Sequence, residues 1–236
     1  MRYALSLVLV AGLATAASAV EPYMFSGSAE FVPGTYTANG DIVYDNGLPS
    51  GVNGVSAVQG IGLDRRVVDD FSLSGAVALN GAAARYVWNS GGVGLASAVE
   101  VEIYADAGGV PALAPMAAYV TSDFTETATG GVFFSRPEVA FDAKFEPTSL
   151  AAGTYWVGVR PYGEDNAFWL VSNDGATTRG SEVYVDYPDL GFPRWTPGAA
   201  VFGAAYDVSF TLQAVPEPAS LALLGLGAVA VMRRRR

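Results

Sequence analysis

Hydrophobic and polar residues alternate with a period of two along several stretches of the chain. Val99, Val101 and Ile103 alternate with polar or aromatic residues, and the same pattern recurs over 155–160 and 206–213. Successive side chains of a β-strand point to opposite faces, so this period predicts strands with one buried face. Shorter candidate strands are 41–44, 70–73, 85–88, 139–143, 168–171 and 182–185.

Turn-forming residues separate these candidate strands. Asp, Asn, Ser and Gly cluster at 45–47, 89–92, 108–109, 130–131 and 173–175, where their backbone preferences favour tight turns. Many short strands joined by turns, with no helical period between the two ends of the chain, predict an all-β domain over residues 20–214. We expect an antiparallel β-sandwich of the jelly-roll type, with a barrel as the alternative.

The first 19 residues have the layout of a signal peptide. Arg2 precedes an apolar run over 4–14, and Ala17 and Ala19 frame a small-residue cleavage site. Charge, apolar run and small residues in that order are typical of exported proteins. We expect export through the Sec translocon and cleavage by signal peptidase after Ala19; a buried N-terminal helix is the alternative.

The last residues, 215–236, have the layout of a membrane anchor. The run 219–232 is almost wholly apolar and as a helix spans roughly 21 Å of a ~30 Å hydrocarbon core. The run ends in four basic residues, Arg233, Arg234, Arg235 and Arg236. Clustered arginines stay on the cytoplasmic side, so we expect a single transmembrane helix that stops in the inner membrane, with the body outside the cytoplasm.

A tripeptide before this run makes the tail more specific. Pro216, Glu217 and Pro218 are followed by the apolar run and the basic end, and this layout resembles a PEP-CTERM sorting signal. The resemblance implies recognition by an exosortase, a membrane-embedded cysteine protease-transpeptidase of Gram-negative bacteria that make extracellular polysaccharide. The two prolines keep the segment extended, as a protease requires. A plain tail anchor is the alternative.

The body has a second, looser resemblance. The segments 44–47, 66–71 and 152–157 look like those of an uncharacterised sandwich domain shared by many PEP-CTERM proteins. This resemblance implies a fold and a cell-surface or extracellular-matrix location, but no activity.

The composition excludes several kinds of chemistry. The chain has no Cys and no His, which removes disulfides, thiol nucleophiles, Cys/His zinc sites and the Ser-His-Asp triad. Five of the 13 basic residues lie in the two terminal segments, which leaves eight against 22 of the 23 acidic residues, so residues 20–215 carry a formal charge of −14. Such a body repels nucleic acid and anionic lipid.

Acidic residues in the turns are candidate calcium ligands. The cluster that we consider is Asp69, Asp70 and Asp174. Carboxylate oxygens from loops suit Ca²⁺, and a bound ion would help to hold an exported domain without disulfides. Asp is also a default turn residue, because its side chain bonds the local backbone.

Aromatic residues and carboxylates supply the remaining candidates. Trp195 lies in a Gly- and Pro-rich loop, and Trp156 is out of phase with its apolar neighbours, so both are candidate carbohydrate contacts through their flat rings. We expect Trp88 and Trp169 to lie in the core.

We therefore expect a non-enzymatic surface protein that associates with exopolysaccharide. A passive structural or adhesive element of a biofilm is one alternative. The other is an exported hydrolase with two carboxylates, for which Glu164 and Glu182 are the candidates; glycoside hydrolysis needs such a pair about 5–10 Å apart.

Overall fold

The computed structural model describes residues 24–26, 31–32, 34–38, 40–173, 175 and 177–215, which form two β-sheets. The first sheet contains β1 (Met24–Ser26), β2 (Asp41–Asp45), β3 (Asn53–Ser56), β6 (Val77–Trp88), β9 (Phe124–Phe133), β10 (Arg136–Leu150), β12 (Ala167–Leu170) and β15 (Phe210–Ala214). The second sheet contains β4 (Val58–Gly60), β5 (Leu63–Leu73), β7 (Ala96–Ala105), β8 (Ala117–Thr121), β11 (Gly153–Gly163), β13 (Tyr184–Tyr187) and β14 (Phe192–Pro197).

The strand order is that of a sandwich. The first sheet runs β1-β3-β12-β6-β10-β9, with β15 paired to both β2 and β6, and the second runs β14-β13-β5-β4-β11-β7-β8. Strand pairs are antiparallel, apart from a parallel contact between β4 and β11 at Gln59 and Tyr162. The expectation of an all-β sandwich is confirmed within the described residues. The body also contains a short α1 (Gly198–Phe202) and a 3-10 turn at Pro188–Leu190, both too short to show a helical period.

The main core lies between the two sheets. On β7, Val99, Val101 and Ile103 are fully buried in it, as their alternation predicts. Trp88 and Trp169 are also fully buried there, which confirms their expected place.

The second sheet is covered on its outer face as well. Glu100 and Glu102 point away from the core, yet only 8 % and 5 % of their surfaces are exposed. The expectation of one buried face is therefore wrong for β7. Ion pairs with arginines of neighbouring strands shield these carboxylates, and a period-two pattern contains no information about such partners.

Residues 31–32 and 34–38, which we call the N-terminal strap, cross the outer face of the first sheet. Val32 pairs with Val132 of β9, and the backbone N–H of Gly34 donates to Glu138 at 3.0 Å. The Tyr36 hydroxyl donates to Asp142 at 2.6 Å. The strap thus covers polar side chains that a bare sheet would leave in water.

The last strand, β15, lies inside the first sheet, between β2 and β6. The sequence predicts a strand over 206–213, but regular pairing begins at Phe210, and Val208 makes an isolated bridge to Val171. No helix in the described part is long and apolar enough to cross a membrane. The predicted anchor helix, like the predicted signal peptide, lies outside the described residues.

Candidate functional site

An aromatic cluster covers part of the outer face of the second sheet. In β11, Trp156 lies opposite Tyr104 of β7 and Asp70 of β5. Trp156, Tyr104 and Val68 form a buried cluster that is separate from the main core. Tyr184 and Trp195, both half-buried, pack against it, and we call these five residues the outer aromatic cluster.

Trp156 lies on the opposite face of its strand from the core, as its phase predicts. Its ring is fully buried, its Nε1 donates to Asp106 at 3.1 Å, and it lies nearly perpendicular to the Tyr184 ring with 5.2 Å between the ring centroids. In this arrangement the ring presents no exposed face on which a sugar could stack. Trp195 is the tryptophan of the cluster that remains partly accessible.

Trp195 is held in place by three contacts. Its Nε1 donates to the carbonyl of Ala112 at 3.0 Å, and its ring packs edge-on against Tyr104 at 5.1 Å. The guanidinium of Arg194 lies 4.6 Å from the centre of the Trp195 ring and donates to the Tyr104 hydroxyl at 2.8 Å. The result is a fixed aromatic ring beside a partly exposed cation.

A chain of ion pairs continues from this cluster across the sheet. Arg160 bonds Glu100 and, at 2.5 Å, Asp64. Asp64 also accepts from Arg66 at 2.7 Å. Burial alone would raise the pKa of Asp64, but its hydrogen bonds and ion pairs with Arg160 and Arg66 hold that pKa below its ordinary value.

Two guanidinium nitrogens in this network have no hydrogen-bond partner. The buried Nε of Arg66 lies 3.3 Å from Glu102, and that of Arg194 lies 3.6 Å from Asp186, without hydrogen-bond geometry in either case. Buried donors of this kind normally bond an ordered water or a ligand oxygen. The region therefore combines an aromatic face with donors and acceptors that suit a hydroxyl-rich ligand.

Three carboxylates lie close together where β5 meets the segment before β15. Asp69 accepts from Asn46 and from the backbone N–H of Val208, each at 2.8 Å. Asp70 accepts from the backbone N–H of Ser181 at 2.7 Å. Asp207 accepts from the backbone N–H of Arg179 at 2.7 Å through Oδ2, while its buried Oδ1 has no partner.

These carboxylates resist ionisation. Burial, reinforced by neighbouring carboxylates, raises the pKa of Asp69 well above its usual range and that of Asp207 to about 6. Burial also raises the pKa of Asp70. Sequence reasoning missed Asp207, because it is 137 positions from Asp70 and no local motif marks it.

The calcium site expected at Asp69, Asp70 and Asp174 stays a prediction. Asp69 and Asp70 adjoin each other, but Asp174 is outside the described residues. Across the described part of the chain, no three acidic side chains come together in a way that could hold a metal ion.

The two carboxylates considered for hydrolysis lie far apart. Glu164 lines an open cleft of about 520 Å³ beside Tyr162 and is the one carboxylate among its lining residues. Glu182 instead accepts from the backbone N–H of Ala199, next to the segment that bonds Asp70. Tyr162 marks the position of Glu164 along β11, and Trp156, which pairs with Asp70, marks that of Glu182. These two positions are six residues apart, about 20 Å along a strand. Glu164 and Glu182 therefore do not have the spacing that glycoside hydrolysis needs.

The expected processing residues lie outside the described part: Ala17, Ala19, Pro216, Glu217, Pro218 and Arg233, Arg234, Arg235 and Arg236. The structure does describe where the chain leaves the body. The backbone N–H of Val215 donates to the carbonyl of Ala78 at 3.0 Å, so β15 remains paired up to the residue before Pro216.

Comparison with known proteins identifies the C-terminal segment. No curated protein and no solved structure matches the chain. Residues 214–236 match the family model described as the PEP-CTERM protein-sorting motif. The chain therefore carries a PEP-CTERM sorting motif that begins at the last residue of β15.

Proposed function

We propose that this protein is exported across the inner membrane, held there by its C-terminal helix, and processed by an exosortase into a cell-surface or matrix protein. Its β-sandwich acts without catalysis, in association with exopolysaccharide. The observation that carries the proposal is the sorting motif over residues 214–236. The signal-peptide layout of residues 1–19 supports the same route, because it directs the body out of the cytoplasm.

The roles of the tail residues follow from their chemistry. The arginines at 233–236 hold the helix end on the cytoplasmic side, which places Pro216 and Pro218 at the outer surface of the membrane. The prolines keep that segment extended and out of the helix, and Glu217 is the one charged group between them. A membrane-embedded protease-transpeptidase can therefore bind this stretch, and cleavage there releases the body from its anchor.

The charges of the body restrict the polysaccharide that it can bind. In the described residues, six basic side chains form ion pairs, while Arg136 and Arg179 bond backbone carbonyls. Because its cations are engaged and its net charge is strongly negative, the body repels polyanions. A neutral, hydroxyl-rich polysaccharide suits both this surface and the ring of Trp195.

The double replacement Glu217→Ala with Pro218→Ala tests the processing step. In a host that has the exosortase, we expect full-length protein to accumulate in the membrane fraction, because the enzyme loses both the charge and the fixed backbone that it reads. Fractionation and mass spectrometry of the C-terminus provide the measurement.

The conservative variant Ala219→Leu, which keeps the tripeptide, is the matched control and is expected to be processed like the parent. Release of the double variant with the parent's C-terminus and efficiency would show that the segment is a plain anchor.

A further inference from the structure

The sorting tail is attached to the body without a linker. Val215 is still hydrogen-bonded to Ala78 of β6, and β15 is held between two strands. The buried side chain of Gln213 locks this end further, because it bonds both Lys144 and Asp142. The chain thus leaves the sandwich from a fixed point.

This attachment brings the body close to the membrane. Three residues, 216–218, separate Val215 from the apolar run that begins at Ala219. The four Cα–Cα steps from Val215 to Ala219 span at most about 14 Å when fully extended. The polar headgroup layer on one side of a bilayer is ~5–8 Å thick, so with Ala219 at the edge of the hydrocarbon, Val215 lies at the level of the headgroups or less than about 10 Å above them.

The end of the sandwich around this point has few charges. It is formed by the turns at 74–76 and 151–152, the loop 106–116 and the start of β2; we call it the exit end. All of these turns and strand ends lie at one end, because β5, β7, β10 and β15 finish there and β2, β6 and β11 begin there. The charged residues of the segments that form the exit end are Asp41 and Asp106.

The exit end also exposes apolar side chains. Leu113 is 74 % exposed and Val110 is 38 % exposed in the loop 106–116, and residues 107–122 contain no charged residue. In a body with a formal charge of −14, an end with few charges and exposed apolar side chains is repelled only weakly by anionic lipid headgroups. Exposed apolar side chains also gain free energy in the interface between headgroups and hydrocarbon.

We propose that the exit end lies on the lipid headgroups of the outer leaflet of the inner membrane while the tail is uncleaved. This inference rests on the membrane anchor of the proposed function, but not on the exosortase. The short connection limits how far the exit end can move from the bilayer, and the contact with the headgroups then sets the orientation of the sandwich.

The full chain with its tail, reconstituted in lipid nanodiscs without exosortase, tests this contact. The chain has no Cys, so single spin labels can be placed through Ala76→Cys and Leu113→Cys at the exit end. Val93→Cys, 44 % exposed in the loop between β6 and β7 at the opposite end, is the matched control. With a relaxation agent attached to lipid headgroups, we expect several-fold stronger relaxation of the two exit-end labels than of the control label.

A flexible Gly/Ser segment of about 12 residues inserted between Val215 and Pro216 completes the test. We expect it to lower the relaxation of the Ala76 and Leu113 labels toward that of the Val93 label. Equal relaxation of all three labels in the parent chain would overturn the proposal, as would a linker variant that behaves like the parent. Release of the Glu217→Ala/Pro218→Ala double variant like the parent, which would refute the exosortase step, would leave this result unaffected, so the two proposals are judged separately.

Discussion

At the scale of single residues, the carboxylate of Asp207 combines burial with an oxygen that has no hydrogen-bond partner. It is 1 % exposed, one of its oxygens has no partner, and Asp69 and Asp70 are nearby. Burial raises the pKa of Asp207 to about 6, while the unfolded chain has the ordinary value of ~3.9. The folded state therefore binds a proton more tightly than the unfolded state.

This difference sets the pH dependence of stability. When the pKa of a group is higher in the folded state than in the unfolded state, its contribution to stability is fully present below the pKa of the unfolded state. That contribution is lost as the pH rises through the pKa of the folded state. We expect the free energy of unfolding to increase as the pH falls from 7 to 5. Asp207→Asn removes the charge and should stabilise the body by about 1–3 kcal/mol at pH 7 while flattening this slope.

Urea unfolding of the body at pH 5, 6 and 7 measures the effect. Asp123→Asn makes the same change of charge at an exposed position. It is expected to leave the dependence of unfolding free energy on pH unchanged. A parent-like slope in the Asp207→Asn variant would refute the assignment.

At the scale of elements, the N-terminal strap stabilises the first sheet from outside. The Tyr36 ring lies 5.0 Å from the guanidinium of Arg85, which itself forms an ion pair with Glu138 at 2.9 Å. Glu138 is 1 % exposed, and an ion pair that is buried in this way depends on its surroundings for complete hydrogen bonding. The strap supplies part of that environment.

Tyr36→Ala should therefore destabilise the body by about 2 kcal/mol, since it removes the hydrogen bond to Asp142 and the cover over Arg85. Tyr36→Phe keeps the ring and removes only the hydroxyl, so it should lower the free energy of unfolding by about half of that amount. Thermal and urea unfolding provide the measurement. Thr35→Ala, at an exposed neighbouring position, is the control; equal effects at both positions would contradict the role given to Tyr36.

The strands, but not the strap, could be predicted from the sequence. The alternation of apolar and polar residues identifies β7, β11 and most of β15, because one face of each strand packs in the core and the residues on that face are apolar. The strap has no such alternation; its position depends on Glu138 and Asp142, more than 100 residues away along the chain. For the same reason, the surroundings of Asp207 and the ion pairs of Glu100 and Glu102 could not be predicted, because the partner residues come together only in the folded sheet.

At the scale of the whole molecule, charge and aromatic surface determine what the body can bind. A formal charge of −14 on residues 20–215 creates a repulsive field for polyanions that extends over a Debye length of about 8 Å at physiological salt. The ring of Trp195 and the partly exposed guanidinium of Arg194 offer a local, short-range contact instead. Binding of this kind discriminates by the charge of the glycan.

A glycan array with the purified body therefore tests the proposed association. We expect the body to bind neutral glycans, and to bind anionic glycans only when calcium is added. Trp195→Ala should lower the affinity for neutral glycans by about 5- to 10-fold, because it removes one stacking contact. Tyr162→Ala, on the same outer face, is the control. Absence of binding to every glycan, with and without calcium, would leave the passive structural role as the remaining explanation.

The position of β15 has a consequence for the order of events during export. Among the residues that the structure describes, β2 pairs only with β15, so β2 cannot take its final place until residue 214 has crossed the membrane. Chains that are made and exported from their N-terminus tend to fold in that order, but here the sheet closes with the segment that adjoins the sorting motif. Completion of the fold thus coincides with arrival of the tail in the bilayer, and a truncated chain is left with an unpaired strand.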